Sequence, residues 1–255
     1  MQKKDADAML APCLQAPASL TPTQAARIGI VQCRLDDDQD MALARAWPVL
    51  SAAEAARAER FHFDRDRHRY VRGRGFLRQM LAQKTGQGAA DLVLSDGARG
   101  KPALQDHALW FNLTHSRDLA VLAVSDDGPI GIDLEFVDRR VDSTGLAQTC
   151  MTPDEQQVLR ALAKTSQVMR FFTFWTAKEA RMKLTGEGMS LPPNQIVLDL
   201  QDGHPVGYLQ PTSPVAQAIF VDVGHPGAVC CLAIEQGPYP AITPLVMTKG
   251  AHVTQ

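Results

Sequence analysis

The run 130–136 alternates between apolar residues and small or acidic ones. Its even positions are all apolar, while Asp133 and Glu135 stand at odd positions beside Gly131. Since the side chains of a strand alternate between its two faces, the pattern predicts a strand with one apolar face and one face that carries both carboxylates.

A third carboxylate follows 44 residues after Glu135, in a segment with a helical period. Between 168 and 182, apolar residues recur at steps of four, three, four and three, and Glu179 occupies one position of this stripe. A carboxylate on an apolar stripe loses hydration, so Glu179 should require a cation or strong hydrogen-bond donors. Lys183, one turn later, lies on nearly the same helical face.

Cap and turn residues divide the rest of the chain into further elements. Two capping-box patterns, Ser51 to Glu54 and Thr152 to Glu155, predict helix starts, and the polar segment 125–128 predicts a turn that joins two strands as a hairpin. The predicted strands are 28–33, 109–114, 119–124, 130–136, 196–200, 218–223 and 229–234. The predicted helices are 51–62, 66–86, 152–162 and the Glu179 helix, which should end near Gly186.

Each half of this order runs from a strand through helices to several strands, although no sequence identity between the halves is evident. The order favours an α+β fold over alternating parallel βα units and indicates a weak duplication. We place an irregular arm at 1–26, an N-terminal half at 27–128, a C-terminal half with the three carboxylates at 129–236 and an irregular tail at 237–255. A site between the halves would lie in a cleft, where ligands commonly bind.

Size and composition narrow the class of protein. The chain has 255 residues and 45% hydrophobic content, enough for a buried core, and no apolar run long enough to span a membrane. Acidic residues and Pro12 interrupt the apolar stretch near the N-terminus, which disfavours a signal sequence. Five cysteines without a CxxC pair are more typical of a reducing compartment than of a disulfide framework. We therefore expect a cytoplasmic protein without membrane association.

Charge is concentrated in one segment. The net charge is only −2, but 57–78 holds eight arginines against three acidic residues. This arginine-rich segment is either a solvated helix face or a docking surface for an anionic partner, and the charge pattern leaves both open. A nucleic-acid surface is the least favoured version, because the total charge is small and stacking aromatics are not interleaved with the arginines.

The three carboxylates and the lysine together suggest a magnesium site beside a phosphate group. Carboxylate oxygens are ligands that Mg²⁺ prefers, and an ammonium group next to them suits a pyrophosphate. Each feature alone has a simpler explanation: a solvated strand face for the first two acids, and for Glu179 with Lys183 a surface pair worth about 0.3 to 0.5 kcal/mol. Their combination favours the metal site.

Four motifs resemble those of the Sfp-type 4'-phosphopantetheinyl transferases. They are Gly100-Lys101-Pro102, Phe111-Asn112-Leu113-Thr114-His115-Ser116, Gly131-Ile132-Asp133-Leu134-Glu135 and Trp175-Thr176-Ala177-Lys178-Glu179-Ala180-Arg181-Met182-Lys183. They occur in the order of that family and with similar spacing, over about residues 50–190. A lone motif would be weak, whereas four in order argue against chance.

The resemblance implies a monomer built from two similar halves, with coenzyme A and Mg²⁺ bound between them. It implies transfer of the 4'-phosphopantetheine group from coenzyme A to a serine of an apo carrier protein of the acyl, polyketide or peptidyl type, with release of adenosine 3',5'-bisphosphate. By the same resemblance, Asp133, Glu135 and Glu179 would hold the metal. Lys183 would balance charge on the departing phosphate.

Further matched positions concern the phosphates of coenzyme A. Lys101, Thr114, His115 and Arg57 match family positions that contact them. Lys178 is a weaker candidate, because adjacent helix residues point about 100° apart.

Two further acidic residues, Glu155 and Glu54, stand at positions that matter in the family. Glu155 matches a position proposed as the base for the carrier serine, and its capping-box position explains it equally well. Glu54 stands where better-known members have a lysine, so recognition of the 3'-phosphate should depend on Arg57 or on other arginines of the segment.

Other functions remain open from the sequence. A coenzyme A or nucleotide sensor would keep the pocket without turnover, and a nucleic-acid-binding protein would use the arginine-rich segment in a strongly salt-dependent way. For the transferase, we expect an acidic helix of the carrier protein to dock near that segment.

Overall fold

The computed structural model describes residues 28–97, 100–105, 109–138 and 140–236. The arm and the tail predicted at 1–26 and 237–255 lie outside these residues. The described strands are β1 (Ile28–Arg34), β2 (Leu94–Asp96), β3 (Pro102–Leu104), β4 (Trp110–Ser116), β5 (Leu119–Ser125), β6 (Ile130–Phe136), β7 (Val197–Gln201), β8 (His204–Gln210), β9 (Ala216–Phe220) and β10 (Ala228–Glu235). The described α-helices are α1 (Leu43–Ala46), α2 (Ala52–Ala58), α3 (Asp64–Thr85), α4 (Ser143–Cys150), α5 (Pro153–Ala161) and α6 (Lys164–Thr185).

The strands form two antiparallel sheets and a short ribbon. The first sheet has the order β1-β5-β4 and the second the order β6-β10-β9-β8-β7, while β2 pairs with β3. In each half the first strand pairs with the last one, β1 with β5 and β6 with β10. This shared topology confirms the predicted α+β fold with two similar halves.

The predicted hairpin between β5 and β6 is wrong. β5 pairs with β1 and β4, whereas β6 pairs with β10. The segment 125–128 does bend the chain, but the bend leads from the first sheet to the second. Turn residues determine a change of direction and leave the partner of the next strand undetermined, so β6 finds its antiparallel neighbour at the far end of its own half.

The two sheets pack against each other around a central core. Odd-numbered apolar residues of β5 meet even-numbered ones of β6 and β10 in one buried cluster. The outer faces are covered by helices, with α3 on the first sheet and α6 on the second. The predicted two faces of β6 are thus confirmed: Ile130, Ile132 and Leu134 lie in the central core, and the odd positions face α6.

Each half contains a long helix that ends in the same way. α3 and α6 both have 22 residues, and their C-caps, Gly86 and Gly186, have φ angles of 74° and 72°. Glycine adopts this left-handed conformation without the steric cost that a Cβ brings. Both helix ends therefore agree with the predicted stops.

A capping glutamate ties the preceding helix to the long helix in both halves. Glu54 and Glu155 each close a complete capping box, at the start of α2 and α5. Glu54 pairs with Arg74 and Arg78 of α3, and Glu155 pairs with Lys178 of α6. The halves thus share an interaction as well as an order of elements.

Five described α-helices and strands lack a sequence prediction: α1, α4, β2, β3 and β8. The N-cap of α4 is Asp142, whose side chain accepts a hydrogen bond from the Gly145 N–H at 3.0 Å. The four-residue α1 is too short to show a period. β8 contains Pro205 and Gly207, two residue types that are depleted in strands.

Candidate functional site

Gly131 lets α6 lie directly on β6. A Cβ at this position would overlap with the Ala180 carbonyl oxygen and the Leu184 backbone nitrogen of α6. The absence of a side chain therefore brings the C-terminal half of α6 onto the strand, which places Glu179 and Lys183 over the odd-numbered face of β6.

Asp133 is the centre of the resulting cluster. Its Oδ1 atom accepts hydrogen bonds from Lys183 Nζ at 2.5 Å and from the Thr114 hydroxyl at 3.3 Å. Lys183 Nζ also donates to Thr114 Oγ1 at 3.2 Å. Strand β4 of the N-terminal half, β6 and α6 thus meet at three side chains that the sequence motifs contain.

Glu135 and Glu179 complete the carboxylate set. Burial raises the pKa of Glu135, the charge of Asp133 raises it further, and hydrogen bonds with Ser116 and Trp175 and the charge of Lys183 oppose the rise. Burial likewise raises the pKa of Glu179, with contributions from Asp133 and Glu135 and opposition from Lys183. Three acids therefore share one half-buried volume with a single ammonium group.

The donor set suits a divalent cation in its chemistry. The second oxygen of Asp133, Oδ2, is buried and has no hydrogen-bond partner among the described residues, which is costly for a carboxylate oxygen unless a donor or a metal ion binds it. Across the described ranges, however, no set of three or more His, Cys, Asp or Glu side chains is already arranged to hold a metal ion. Metal binding would therefore require the carboxylates to draw closer together than they are in this structure.

His115 and Lys101 flank this cluster differently. The exposed His115 has a lowered pKa, caused by partial desolvation and by the positive charges of Lys183 and Arg69. Lys101 Nζ instead donates to the Ile130 and Leu184 carbonyl oxygens at 2.7 and 3.2 Å, and burial lowers its pKa to about 8. In this structure, Lys101 joins the ribbon of the N-terminal half to β6 and the end of α6.

The structure places Lys178 and Glu155 in the scaffold, which agrees with the capping-box explanation of Glu155. Lys178 Nζ is 2.6 Å from Glu155 Oε2 and donates to three main-chain carbonyl oxygens at 2.8 to 3.2 Å. The other Glu155 oxygen accepts the Leu198 N–H at 3.1 Å. Both side chains are buried, and the Lys178 ammonium is shared among these four oxygens, so in this structure neither group is exposed to a ligand.

Arg57 lies on the surface of the N-terminal half. Its guanidinium is 5.3 Å from the centre of the Tyr70 ring, a cation–π distance. Glu54, one turn earlier, is buried between Arg74 and Arg78. Because the side chain of Glu54 points into the protein, this glutamate has a structural role at the position where better-known family members have a lysine.

Most of the arginine-rich segment is already paired with acids. Arg69 and Arg72 bind Asp36 and Asp38 of the acidic loop after β1, at 2.5 and 2.8 Å. The other paired arginines are Arg65, Arg67, Arg74 and Arg78. The segment is therefore less basic as a surface than its sequence indicates.

Three residues near the carboxylates have contacts that the sequence did not predict. Asn112 Oδ1 accepts the Ile132 N–H at 2.7 Å, Ser116 Oγ donates to Glu135 Oε2 at 3.3 Å, and Trp175 hydrogen bonds with Glu135. All three residues belong to the motifs, but their contacts can be predicted only when the neighbouring elements in the fold are known.

Two other features lie apart from this site. A cavity of about 130 Å³ opens between α4, α5 and α6, and none of the predicted site residues lines it. Among the described helices, none is both long and apolar enough to cross a membrane.

Comparison with known proteins bears on both halves. A family profile described as 4'-phosphopantetheinyl transferase superfamily matches residues 129–233, and one described as 4'-phosphopantetheinyl transferase, N-terminal, matches residues 37–127. Each profile contributes one side of the Thr114–Asp133 contact.

Several curated proteins are similar over much of the chain. The 4'-phosphopantetheinyl transferase HetI of Nostoc sp. is 40% identical over 56% of this chain and 62% of its own length. The 4'-phosphopantetheinyl transferase psf-1 of Bacillus pumilus is 33% identical over 72% of this chain and 79% of its own. The 4'-phosphopantetheinyl transferase Sfp of Bacillus subtilis is 28% identical over 73% and 84%, respectively.

The match to the cyanobacterial relatives is shorter. It spans 62% of HetI and 63% of a putative 4'-phosphopantetheinyl transferase of Synechocystis, less than two thirds of either protein. The match to psf-1 is long enough to establish homology. Together with the two family profiles, it shows that the chain belongs to the 4'-phosphopantetheinyl transferase superfamily.

Proposed function

We propose that this protein transfers the 4'-phosphopantetheine group from coenzyme A to a serine of an apo carrier protein, in a reaction that requires Mg²⁺ and releases adenosine 3',5'-bisphosphate. The observation that carries the proposal is the meeting of Asp133, Glu135, Glu179 and Lys183 where the two halves join. Membership of the family supplies the reaction class.

The chemistry needs charge neutralisation more than it needs a nucleophile from the enzyme. The carrier serine oxygen attacks the phosphorus that bears the pantetheine arm, and the bond from that phosphorus to the bridging oxygen breaks. Adenosine 3',5'-bisphosphate leaves with the bridging oxygen and its electron pair, while the serine proton passes to a base. Because Glu155 is buried in an ion pair, we do not assign that base to it.

The side chains of the site have separate tasks in this proposal. Asp133, Glu135 and Glu179 would hold Mg²⁺, which when bound neutralises pyrophosphate charge and favours departure of the leaving phosphate. Lys183 would place a second positive charge on the same phosphates. Thr114 and the exposed His115 offer further contacts for coenzyme A, and Lys101 would have to exchange its carbonyl partners to join them.

The direct test is intact-protein mass spectrometry of apo carrier proteins incubated with this protein, coenzyme A and Mg²⁺. We expect the mass of one phosphopantetheine group to be added to at least one acyl, polyketide or peptidyl carrier, and EDTA to abolish the gain. If no carrier gains mass while calorimetry still shows binding of coenzyme A, the protein is a sensor and the transferase proposal fails.

Two variants test the site within the same assay. Asp133→Asn and Glu179→Gln should each lower the transfer rate at least 100-fold, because each removes a charge that the metal needs. Asp199→Asn, on β7 at the opposite edge of the second sheet from β6, makes the same chemical change away from the site and should retain the rate. Folded Asp133→Asn and Glu179→Gln proteins with wild-type rates would exclude the metal site.

A further inference from the structure

The junction between the two sheets is closed by side chains. β4 forms its main-chain ladder with β5, and β6 forms its ladder with β10. Between β4 and β6, side chains at alternate positions of β4 replace a backbone ladder. These residues are Asn112, Thr114 and Ser116, which share one face of the strand because of its period of two.

The contacts of this side-chain ladder bracket the two carboxylates of β6. At one end Asn112 accepts the Ile132 N–H at 2.7 Å, and at the other Ser116 Oγ lies 3.4 Å from the Phe136 N–H. These main-chain contacts fix the position of β6 along β4. Between them the ladder touches the acids themselves, through Thr114 to Asp133 and Ser116 to Glu135, both at 3.3 Å.

Ser116 makes both kinds of contact. Its oxygen accepts from the main chain of residue 136, and its hydroxyl hydrogen is then directed to Glu135 Oε2. A hydroxyl held in this way can orient the carboxylate of Glu135, with which Trp175 also hydrogen bonds. Partners of this kind commonly set the orientation of a metal ligand, and their loss typically weakens metal binding or activity 10- to 100-fold.

We propose that Ser116 is a positioning residue, which orients Glu135 for Mg²⁺ across the junction of the two halves. The proposal rests on the function proposed above and adds a residue from the N-terminal half to a metal site formed by the C-terminal half. Ser116 itself contacts neither the metal nor the reacting atoms; it acts through Glu135.

The test compares Ser116→Ala and Ser116→Thr with wild type. Ser125→Ala serves as the matched control, because Ser125 lies on the neighbouring strand β5 and its hydroxyl holds only the Asp127 N–H among the hydrogen bonds seen for it. Two quantities are measured: the Mg²⁺ concentration that gives half the maximal transfer rate, and the Mg²⁺ affinity in calorimetry with coenzyme A present and carrier protein omitted.

We expect Ser116→Ala to raise the half-saturating Mg²⁺ concentration and to weaken the calorimetric affinity, each 10- to 100-fold. Ser116→Thr, which keeps the hydroxyl, should return both values to within a few-fold of wild type. Ser125→Ala should leave both unchanged. A purely structural role for Ser116 would lower the melting temperature and leave the Mg²⁺ affinity of the folded protein intact, which would overturn the proposal.

Failure of the inference differs from failure of the proposed function. If wild type transfers phosphopantetheine in a Mg²⁺-dependent way and Ser116→Ala has the same Mg²⁺ affinity, only the role of Ser116 is wrong. If wild type shows no Mg²⁺-dependent transfer, the proposed function itself is wrong.

Discussion

Single side chains in the candidate site have unfavourable surroundings. Glu135 and Glu179 are half-buried beside Asp133, and each has a raised pKa because burial and neighbouring negative charge oppose its ionisation. One ammonium group, Lys183, does not balance three acids. Sites that bind a cation commonly accept such a cost in stability, since the ligand offsets it when bound.

Glu179→Gln should therefore stabilise the metal-free protein while it reduces transfer. Because the folded state raises the pKa of Glu179 above its ordinary value of 4.5, folded protein binds more protons than unfolded protein above that pH. The contribution of Glu179 to the free energy of unfolding thus falls as pH rises from about 4.5 through the folded pKa and stays low at neutral pH. We expect the variant to gain on the order of 1 kcal/mol at pH 7 in EDTA, measured by urea unfolding.

The controls separate this effect from a general change in charge. Glu59→Gln alters an exposed glutamate at the end of α2 and should leave the free energy of unfolding within about 0.5 kcal/mol of wild type. Added Mg²⁺ should stabilise wild type more than Glu179→Gln. A Glu179→Gln protein that is less stable than wild type across pH 5 to 8 would contradict the expected burden on this carboxylate.

At the scale of elements, the two halves use similar parts for different purposes. β1 and β6 both begin with the sequence Ile-Gly-Ile, at 28–30 and 130–132. Around Gly131 the long helix lies directly on the strand, whereas an added Cβ at Gly29 would meet no atom within 4 Å. Only the C-terminal half combines the close helix with acids at the following odd positions, so the carboxylates of the site belong to that half.

This comparison supplies a matched pair of glycine variants. Gly131→Ala should destabilise the protein by about 1 to 3 kcal/mol or more, because the new methyl group overlaps with the backbone of α6. It should also lower the transfer rate of the protein that remains folded, since α6 carries Glu179 and Lys183. Gly29→Ala makes the same change in β1 and should alter the free energy of unfolding by less than about 1 kcal/mol.

Chemical denaturation and transfer assays at a temperature well below both melting transitions would measure the two effects. If Gly131→Ala and Gly29→Ala had equal effects on stability, the idea that Gly131 is needed for the close approach of α6 to β6 would be wrong.

The capping glutamates illustrate what sequence can and cannot predict about an element. The capping-box pattern correctly placed the starts of α2 and α5, because a cap depends on residues three apart. The pairing of Glu155 with Lys178 depends on how α5 packs on α6, and the sequence offered two roles for Glu155 but only a phosphate contact for Lys178. In the structure both side chains are buried and form an ion pair that joins α5 to α6.

At the scale of the whole molecule, patterns within a single element were predictable from the sequence, whereas the pairing between distant elements was not. The faces of β6 and the stripe of α6 follow from side-chain geometry within each element, so Asp133, Glu135, Glu179 and Lys183 could be identified in advance. The pairing of β6 with β10 joins segments nearly 100 residues apart, and no turn residue encodes it. The ladder from β4 to β6 depends on that arrangement, which is why Ser116 was a motif residue without a role.

In the arginine-rich segment, too, partners distant in the sequence could not be predicted. Its arginines were counted against acids in the same segment, but Asp36 and Asp38 neutralise Arg69 and Arg72 from more than 30 residues away. Arg57 and Arg60 differ from these: both are exposed, and no ion pair is seen for either within the described part of the chain. An anionic partner would therefore meet these two residues rather than the paired ones.

Two charge reversals of the same kind distinguish the free arginines from the structural ones. Arg72→Glu removes a side chain that is 7% exposed and donates to the Leu35 carbonyl oxygen and to Asp38, so it should lower the melting temperature and the yield of folded protein. Arg60→Glu changes an exposed residue and should leave the melting temperature within about 2 °C of wild type. If an acidic helix of the carrier docks beside α2, Arg60→Glu should raise the KM for the carrier several-fold at low salt, with kcat nearly unchanged, and 0.5 M NaCl should reduce the difference. Identical carrier KM values for wild type and Arg60→Glu at low salt would locate the carrier elsewhere on the surface.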